Sequence, residues 1–228
     1  MNHPAIRDAA TVILLRDRTT APAVLMGQRG ATAAFMPMKF VFPGGAVDDA
    51  DADVPLARPL PAATASHLGE DSARPAHALA AAAIRELWEE TGLILGQPGA
   101  WPDAPPDWAS FAATGHRPCA ASLRFFFRAV TPPGRTRRFD ARFFLAEADA
   151  LASDPDDFTH ACDELSHLQW VPLDQARRFD LPFITEVVLA ELSAYLAAPE
   201  APRPVPFFRN DDEAHLVTRL GGVSPLAR

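Results

Sequence analysis

Between Arg85 and Glu90 the chain places an arginine and three carboxylates, in the run Arg85-Glu86-Leu87-Trp88-Glu89-Glu90-Thr91-Gly92-Leu93. The letters from Ala78 to Leu93 fit a helix, and at about 100° per residue Glu86, Glu89 and Glu90 share about one third of its circumference. Ala80, Ile84, Leu87 and Trp88 fall on the opposite side, which can be buried, while Arg85 stands one turn before Glu89 and can hydrogen-bond it. Three carboxylates this close repel one another unless a cation lies among them. Magnesium suits such a set because it prefers hard oxygens and lets water and substrate phosphates complete its shell, with manganese as the alternative. A solvated Glu-rich face is the bland reading of an isolated ExxEE. The full RExxEExG pattern arises far more rarely at ordinary residue frequencies.

The elements around this helix must hold it against something. Phe42-Pro43-Gly44-Gly45 supplies a turn in which Pro43 stiffens the approach and the two glycines let backbone come close to an ion or phosphate. Ala9 to Leu15, Ala23 to Met26 and Lys39 to Phe42 read as strands, the first two as a hairpin. Arg29 would lie near the strand edge that approaches the glycine turn, where it could receive a phosphate in bidentate fashion or simply face solvent. Phe35 and Met36 read as packing residues. Gly92 is placed to end the helix in the left-handed conformation.

Further along, Val47 to Pro75 is rich in Asp, Ala and Pro and predicts a surface excursion that could carry a short helix. Its Asp48, Asp49, Asp51 and Asp53 form either a second cation site or, more simply, a solvated acidic loop. Gly96 to Pro118 predicts a long structured loop, with Trp101 and Trp108 packing it onto the domain or stacking on a ligand. Ser122 to Val130 alternates as an aromatic strand with Leu123, Phe125 and Phe127 on one face, and Phe139 to Ala146 is its antiparallel partner. Arg135, Arg137 and Arg138 beside the intervening turn read as a charged hairpin tip, with a phosphate site as the alternative. Asp174 to Phe179 predicts a short helix and Pro182 to Ala197 a longer one, which could pack on the sheet or on a second subunit. The tail after Pro199 has no clear period and could extend over a neighbour.

A chain of 228 residues, 48% hydrophobic, can bury one sizeable core. The expectation is a single α/β domain over residues 1–228, with an insertion at about 52–77 and a C-terminal helix and tail at about 182–228. A net charge of −8 argues against broad binding to nucleic acid or to an anionic membrane. Cys119 and Cys162 are too few for a disulfide framework, and no long apolar run marks a membrane span or leader, so the expected location is cytoplasmic. His160, Cys162 and His167 lack the paired spacing of a zinc site.

These residues resemble the Nudix hydrolase family, whose box reads G-x5-E-x7-R-E-U-x-E-E-x-G-U, with U a bulky aliphatic residue. Arg85 to Leu93 matches its second half throughout. Gly45 stands as the box glycine and Asp51 where the family has its first glutamate, with 33 residues to Arg85 where the box has seven, or 26 extra. The resemblance implies a Nudix-type α/β/α sandwich with a mixed β-sheet. It further implies that Glu86, Glu89, Glu90 and the Gly44 carbonyl are metal ligands and that Arg85 orients a glutamate. The run Asp163 to Leu173 is similar to the family's acidic loop and last strand. There Glu164 is the candidate to bind metal or activate water, with Asp163 and Asp157 in reserve. Arg29 and Gly45 are placed on the substrate side.

The implied reaction is magnesium-dependent hydrolysis of a phosphoanhydride in a nucleoside diphosphate linked to another moiety, with Glu90→Gln expected to abolish turnover. The order Leu25-x-Gly27-x-Arg29, Phe35-Met36-Pro37 and Val41 to Asp48 looks like the branch that includes coenzyme A diphosphatases. Coenzyme A or its acyl esters therefore rank first, and ADP-ribose or NAD(H) next. A Nudix-fold module that senses a nucleotide without cutting it is the alternative from another class, and a homodimer stays open.

Overall fold

The computed structural model of the chain describes residues 4–199, 203–211 and 214–220. The apolar run near the N-terminus becomes β1 (Ile6–Arg16), the strand around which the others assemble. Its Ala10, Val12 and Leu14 enter one hydrophobic core and its Ile13 and Leu15 a second, so β1 is buried on both faces. A strand in that position needs a near-continuous apolar run, which is what Ala9 to Leu15 offers.

In chain order there follow β2 (Ala23–Arg29), β3 (Phe40–Val41), β4 (Gly44–Ala46), a 3-10 turn at Asp49–Asp53, α1 (Ala62–Gly69) and α2 (Ala76–Thr91). Next come β5 (Gly96–Pro98), α3 (Ala109–Ala113), β6 (His116–Pro118), β7 (Arg124–Val130), β8 (Arg138–Glu147), β9 (Leu165–Pro172), α4 (Phe183–Ala197), β10 (Val205–Asp211) and β11 (Ala214–Leu220). The main sheet runs β11-β10-β7-β8-β1-β2-β3, with β4 also on β1 and β9 also on β2. It is mixed, because β1 with β8 and β7 with β10 are parallel and the other pairs antiparallel. Helix α2 covers one face through Ala80, Ile84 and Leu87, and α4 covers the other through Val188, Leu189 and Leu192. Among the described residues no helix is long and apolar enough to cross a membrane.

Five local expectations change. Strict alternation fails in β7, where a register shift between Phe125 and Phe127 sends Phe125 to the α2 core and Phe127 to the α4 core. A bulge inserts one residue and so inverts the faces that follow it. Residues 96–118 are not merely a loop: β5 and β6 pair antiparallel, and Trp108 packs on Phe111, which in turn packs on Trp88. The excursion after Val47 is not confined to the surface, since Asp51, Val54 and Leu68 are each 1% exposed. The tail after Pro199 returns to the sheet, where β10 lies parallel to β7. The Asp174 to Phe179 helix shrinks to a 3-10 turn at Ala176–Arg178. Residues 221–228 lie outside the described residues, and with them the C-terminal end of the predicted tail.

Candidate active site

The glycine turn and the glutamate helix meet where the sheet divides. Val12 N donates to Pro43 O at 2.8 Å, and Gly44 lies opposite Thr11 in the β1–β4 ladder. Gly44 has a φ of 156°, and a Cβ there would meet Ala10 O at 2.5 Å and the Thr11 Cα at 2.6 Å. Only glycine suits that combination of dihedral and approach. Gly44 N donates to Glu90 Oε2 at 2.7 Å, which ties the turn to α2. At Gly45 the missing Cβ makes room for the Glu86 carboxylate, which a side chain would overlap. Gly45→Ala is therefore expected to displace Glu86 while leaving the ladder to Ala10 in place. Hydrolytic turnover should fall roughly a hundredfold, the scale of losing one positioned electrostatic group. Unchanged turnover in a folded variant would show that the Glu86 position does not matter.

Arg85 is the hub of the site. It is 7% exposed and reaches Asp51 with two bonds, Nε to Oδ1 at 3.0 Å and a terminal nitrogen to Oδ2 at 3.1 Å. It also donates to Glu86 at 2.9 Å, to Glu89 at 3.2 Å and to the Ala46 carbonyl at 3.0 Å. Burial works against its charge, yet the Asp51 bonds and the neighbouring carboxylates outweigh that and raise its pKa. Asp51 is thus neither a solvated loop residue nor part of a second cation site. Its carboxylate also accepts from Asp48 N at 2.8 Å, closing the turn that brings it under α2. Helical spacing pointed only to the Arg85–Glu89 contact, because Asp51 is 34 residues away in sequence.

The carboxylates are held unusually protonated. Burial raises the Glu86 pKa to about 7 and the Glu90 pKa to about 8, and in both cases neighbouring carboxylates add to the shift. Glu89 is raised as well, again chiefly by burial. Groups in this state favour a cation, which would replace the proton and relieve the repulsion. Among the described residues no three His, Cys, Asp or Glu side chains converge into a finished cage. The carboxylates of Glu86, Glu89 and Glu90 are hard oxygen donors, the type that fits an ion sharing its shell with water and substrate, as magnesium does.

A cavity of about 990 Å³ opens beside this cluster. It brings together Gly44, Gly45, Arg85, Glu86, Glu89, Glu164 and Arg29. Glu90 is not on its wall; at 2% exposure it sits beneath the turn. Arg29 makes no ion pair among the described residues, and its Nε is buried without a hydrogen-bond partner. Glu164 is exposed and lies near enough to Glu86 and Glu90 to raise their pKa values. Asp163 and Asp157 do not line the cavity, and Asp157 accepts from the Thr159 backbone and hydroxyl. His160 packs against the Trp88 ring and Cys162 N donates to Glu89 O, so this segment braces the end of α2. Phe35 and Met36, read as packing residues, line the cavity, with the Phe35 ring 5.1 Å from Phe139. Trp101 and Trp108 pack together away from it.

Comparison with known proteins agrees with this geometry. The family model described as NUDIX domain matches residues 72–192. The curated protein named putative nudix hydrolase 7 from Caenorhabditis elegans is 31% identical over 178 residues, covering 72% of this chain and 51% of that protein. The chain thus spans about half the length of that relative. The crystal structure of a NUDIX hydrolase from Alicyclobacillus acidocaldarius is 28% identical, with a TM-score of 0.59 over 87% of this chain and 94% of that one. The NUDIX domain of Shewanella oneidensis NrtR, solved with ADP ribose, has a TM-score of 0.50 at 13% identity over 84% of this chain and 89% of that one. It shares the fold. The α/β architecture with a mixed sheet is the one implied by the sequence, and since the family model spans more than half of the chain, the chain belongs to the NUDIX domain family.

Proposed function

We propose that the chain hydrolyses the phosphoanhydride bond of a nucleoside diphosphate linked to another moiety, and that it does so with magnesium or manganese. The observation that supports this best is the single cavity that joins the glycine turn, Glu86, Glu89, Glu164 and the unpaired Arg29. Glu86, Glu89, Glu90 and the Gly44 carbonyl would hold the metal. When bound, it supplies charge shielding at the phosphoryl oxygens and lowers the pKa of a bound water.

The chain's own residues supply the rest. Arg29 receives a phosphate through its free guanidinium, a bidentate partner for phosphoryl oxygens. Arg85 fixes Glu86 and Glu89 by direct hydrogen bonds, so the acidic cluster keeps one geometry through turnover. Glu164 faces the cavity and takes the proton of the attacking water, whose oxygen bonds to phosphorus as the bridging P–O bond breaks. The second phosphate leaves with the bridging oxygen. Gly45 keeps the approach clear for substrate as well as for Glu86.

Coenzyme A or its acyl esters rank first as substrates, because the order of residues from Leu25 to Asp48 looks like the branch that includes coenzyme A diphosphatases. ADP-ribose and NAD(H) follow. We read the chain as a single domain that works in the cytoplasm, with residues 52–77 as an insertion in the Nudix box. That segment carries α1 and follows directly on Asp51, the partner of Arg85. The test is metal-dependent release of a nucleoside monophosphate or bisphosphate from coenzyme A, ADP-ribose and NADH. Turnover of at least one compound, lost on chelation, is the expected result. Saturable binding of a compound with no turnover of any would favour the sensing module instead.

A further inference from the structure

The cavity continues well beyond the carboxylates. Along its floor Ala9 pairs with Ala141, and Ala141 pairs with Ala129 on the next strand, so three alanines lie in one row across β1, β8 and β7. The neighbouring rows are larger, Thr11 with Phe143 toward the glutamates and Arg7 with Phe139 away from them. A shallow trough flanked by two phenylalanines is a seat for a flat ring.

Past that seat stands the β7–β8 hairpin. Arg135 and Arg137 both line the cavity, and neither makes an ion pair or side-chain hydrogen bond among the described residues. The buried arginines are paired, Arg85 with Asp51 and Arg128 and Arg142 with Asp140. Arg138 shows the contrast, since its Nε donates to Thr131 O at 3.0 Å while Thr131 Oγ1 accepts from Phe139 N at 3.0 Å. Those bonds anchor the hairpin and leave the two free arginines at the outer end. From the Thr11–Gly44 pair to the Ile6–Arg138 pair is five residues of β1, or about 17 Å of strand. No diphosphate bridges that gap by itself.

Resting on the proposed hydrolase reading for the inner end, we infer that Arg135 and Arg137 form a second anion subsite, for a phosphate carried on the nucleoside side of the substrate. The inner end then takes the scissile diphosphate with its metal, the alanine row the base, and the hairpin the additional phosphate. A nucleotide lacking that phosphate loses one or two charge-assisted contacts.

The subsite is tested by calorimetric titration of the full chain with adenosine 3′,5′-bisphosphate, adenosine 2′,5′-bisphosphate and AMP, alongside the Arg135→Ala/Arg137→Ala variant. The wild type should bind at least one bisphosphate about tenfold tighter than AMP, the discrimination of one charged hydrogen bond. The double variant should bind all three alike, with its AMP affinity and melting temperature unchanged. Equal binding of AMP and both bisphosphates by the wild type would overturn the inference. So would an advantage that survives in the variant, or an AMP affinity that falls in step. A bisphosphate advantage in a chain that hydrolyses no diphosphate would leave the subsite standing and sink only the hydrolase reading.

Discussion

Glu90→Gln is expected to lower metal-dependent turnover by about two to three orders of magnitude, the scale found when one positioned electrostatic group is removed, while making the metal-free fold more stable at alkaline pH. The two effects have one cause. Glu90 is 2% exposed and accepts a hydrogen bond from Gly44 N, a bond that the glutamine carbonyl can still accept. Burial holds its pKa at about 8, against 4.5 for an ordinary glutamate. A carboxyl whose folded pKa is raised gives its full stability below the unfolded value and loses it as pH rises through the folded one. For Glu90 that loss runs from about pH 4.5 to about pH 8, so in chelator the wild type should melt progressively lower across this window. The glutamine variant has no charge to bury there and should melt above the wild type at pH 8 or higher. Magnesium should reverse the order, because it binds the ionised carboxylates of the wild type and stabilises the state that binds it. Thermal melts with and without metal, beside a turnover assay, separate the possibilities. Retained turnover would remove Glu90 from the mechanism, and a variant that melts below the wild type at alkaline pH would show that the carboxylate is already satisfied without metal.

Much of this site could be read from the sequence because its chemistry is local. Glu86, Glu89 and Glu90 lie within two turns of one helix, and Gly92 does end that helix with a φ of 73°. The period of a helix and the freedom of a glycine are properties of short stretches, so RExxEExG carries them intact. What escaped was non-local or broke a period. Asp51 reads as one more acid in an acidic loop until folding sets it under Arg85. Phe125 and Phe127 look equivalent until a bulge between them reverses the faces. Arg135 and Arg137 are exposed at the hairpin tip, as the sequence reads, but that they also line the cavity depends on the non-local pairing of β1 with β8. The tail offered no period, and only its place beside β7 shows that it completes the sheet. The resemblance to a known box supplied the metal and the reaction class, which spacing alone left open between a cation site and a charged surface.

Arg85→Met should destabilise the fold by about 3–5 kcal/mol, the cost of leaving one member of a buried ion pair without its partner. Asp51 is 1% exposed, and its main charge partner is the Arg85 guanidinium. Methionine matches much of the aliphatic stem but donates nothing, so Asp51, Glu86 and the Ala46 carbonyl lose their donor together. Arg85→Met/Asp51→Asn should recover a portion of the stability, since it removes the stranded charge while Asp48 N still finds an oxygen at position 51. Arg85→Lys should fall between, because an ammonium keeps the charge but cannot present the fork that reaches Asp51 and both glutamates at once. Chemical denaturation of the wild type, Arg85→Met, Asp51→Asn and Arg85→Met/Asp51→Asn gives the cycle. A coupling near zero between positions 85 and 51, or a loss in Arg85→Met no larger than the roughly 0.5 kcal/mol of an ordinary surface change, would show that Arg85 is not the hub of the site. If the coupling is large and Arg85→Lys keeps its fold but loses turnover, Arg85 holds the carboxylates in position as well as holding the fold together. The residues between Asp51 and α2 are held along their length as well, through Val54, Leu60 and Leu68 in the core and through the Arg128 bonds to the Glu70 and Asp71 carbonyls, so Asp51 returns beneath α2 on a packed segment.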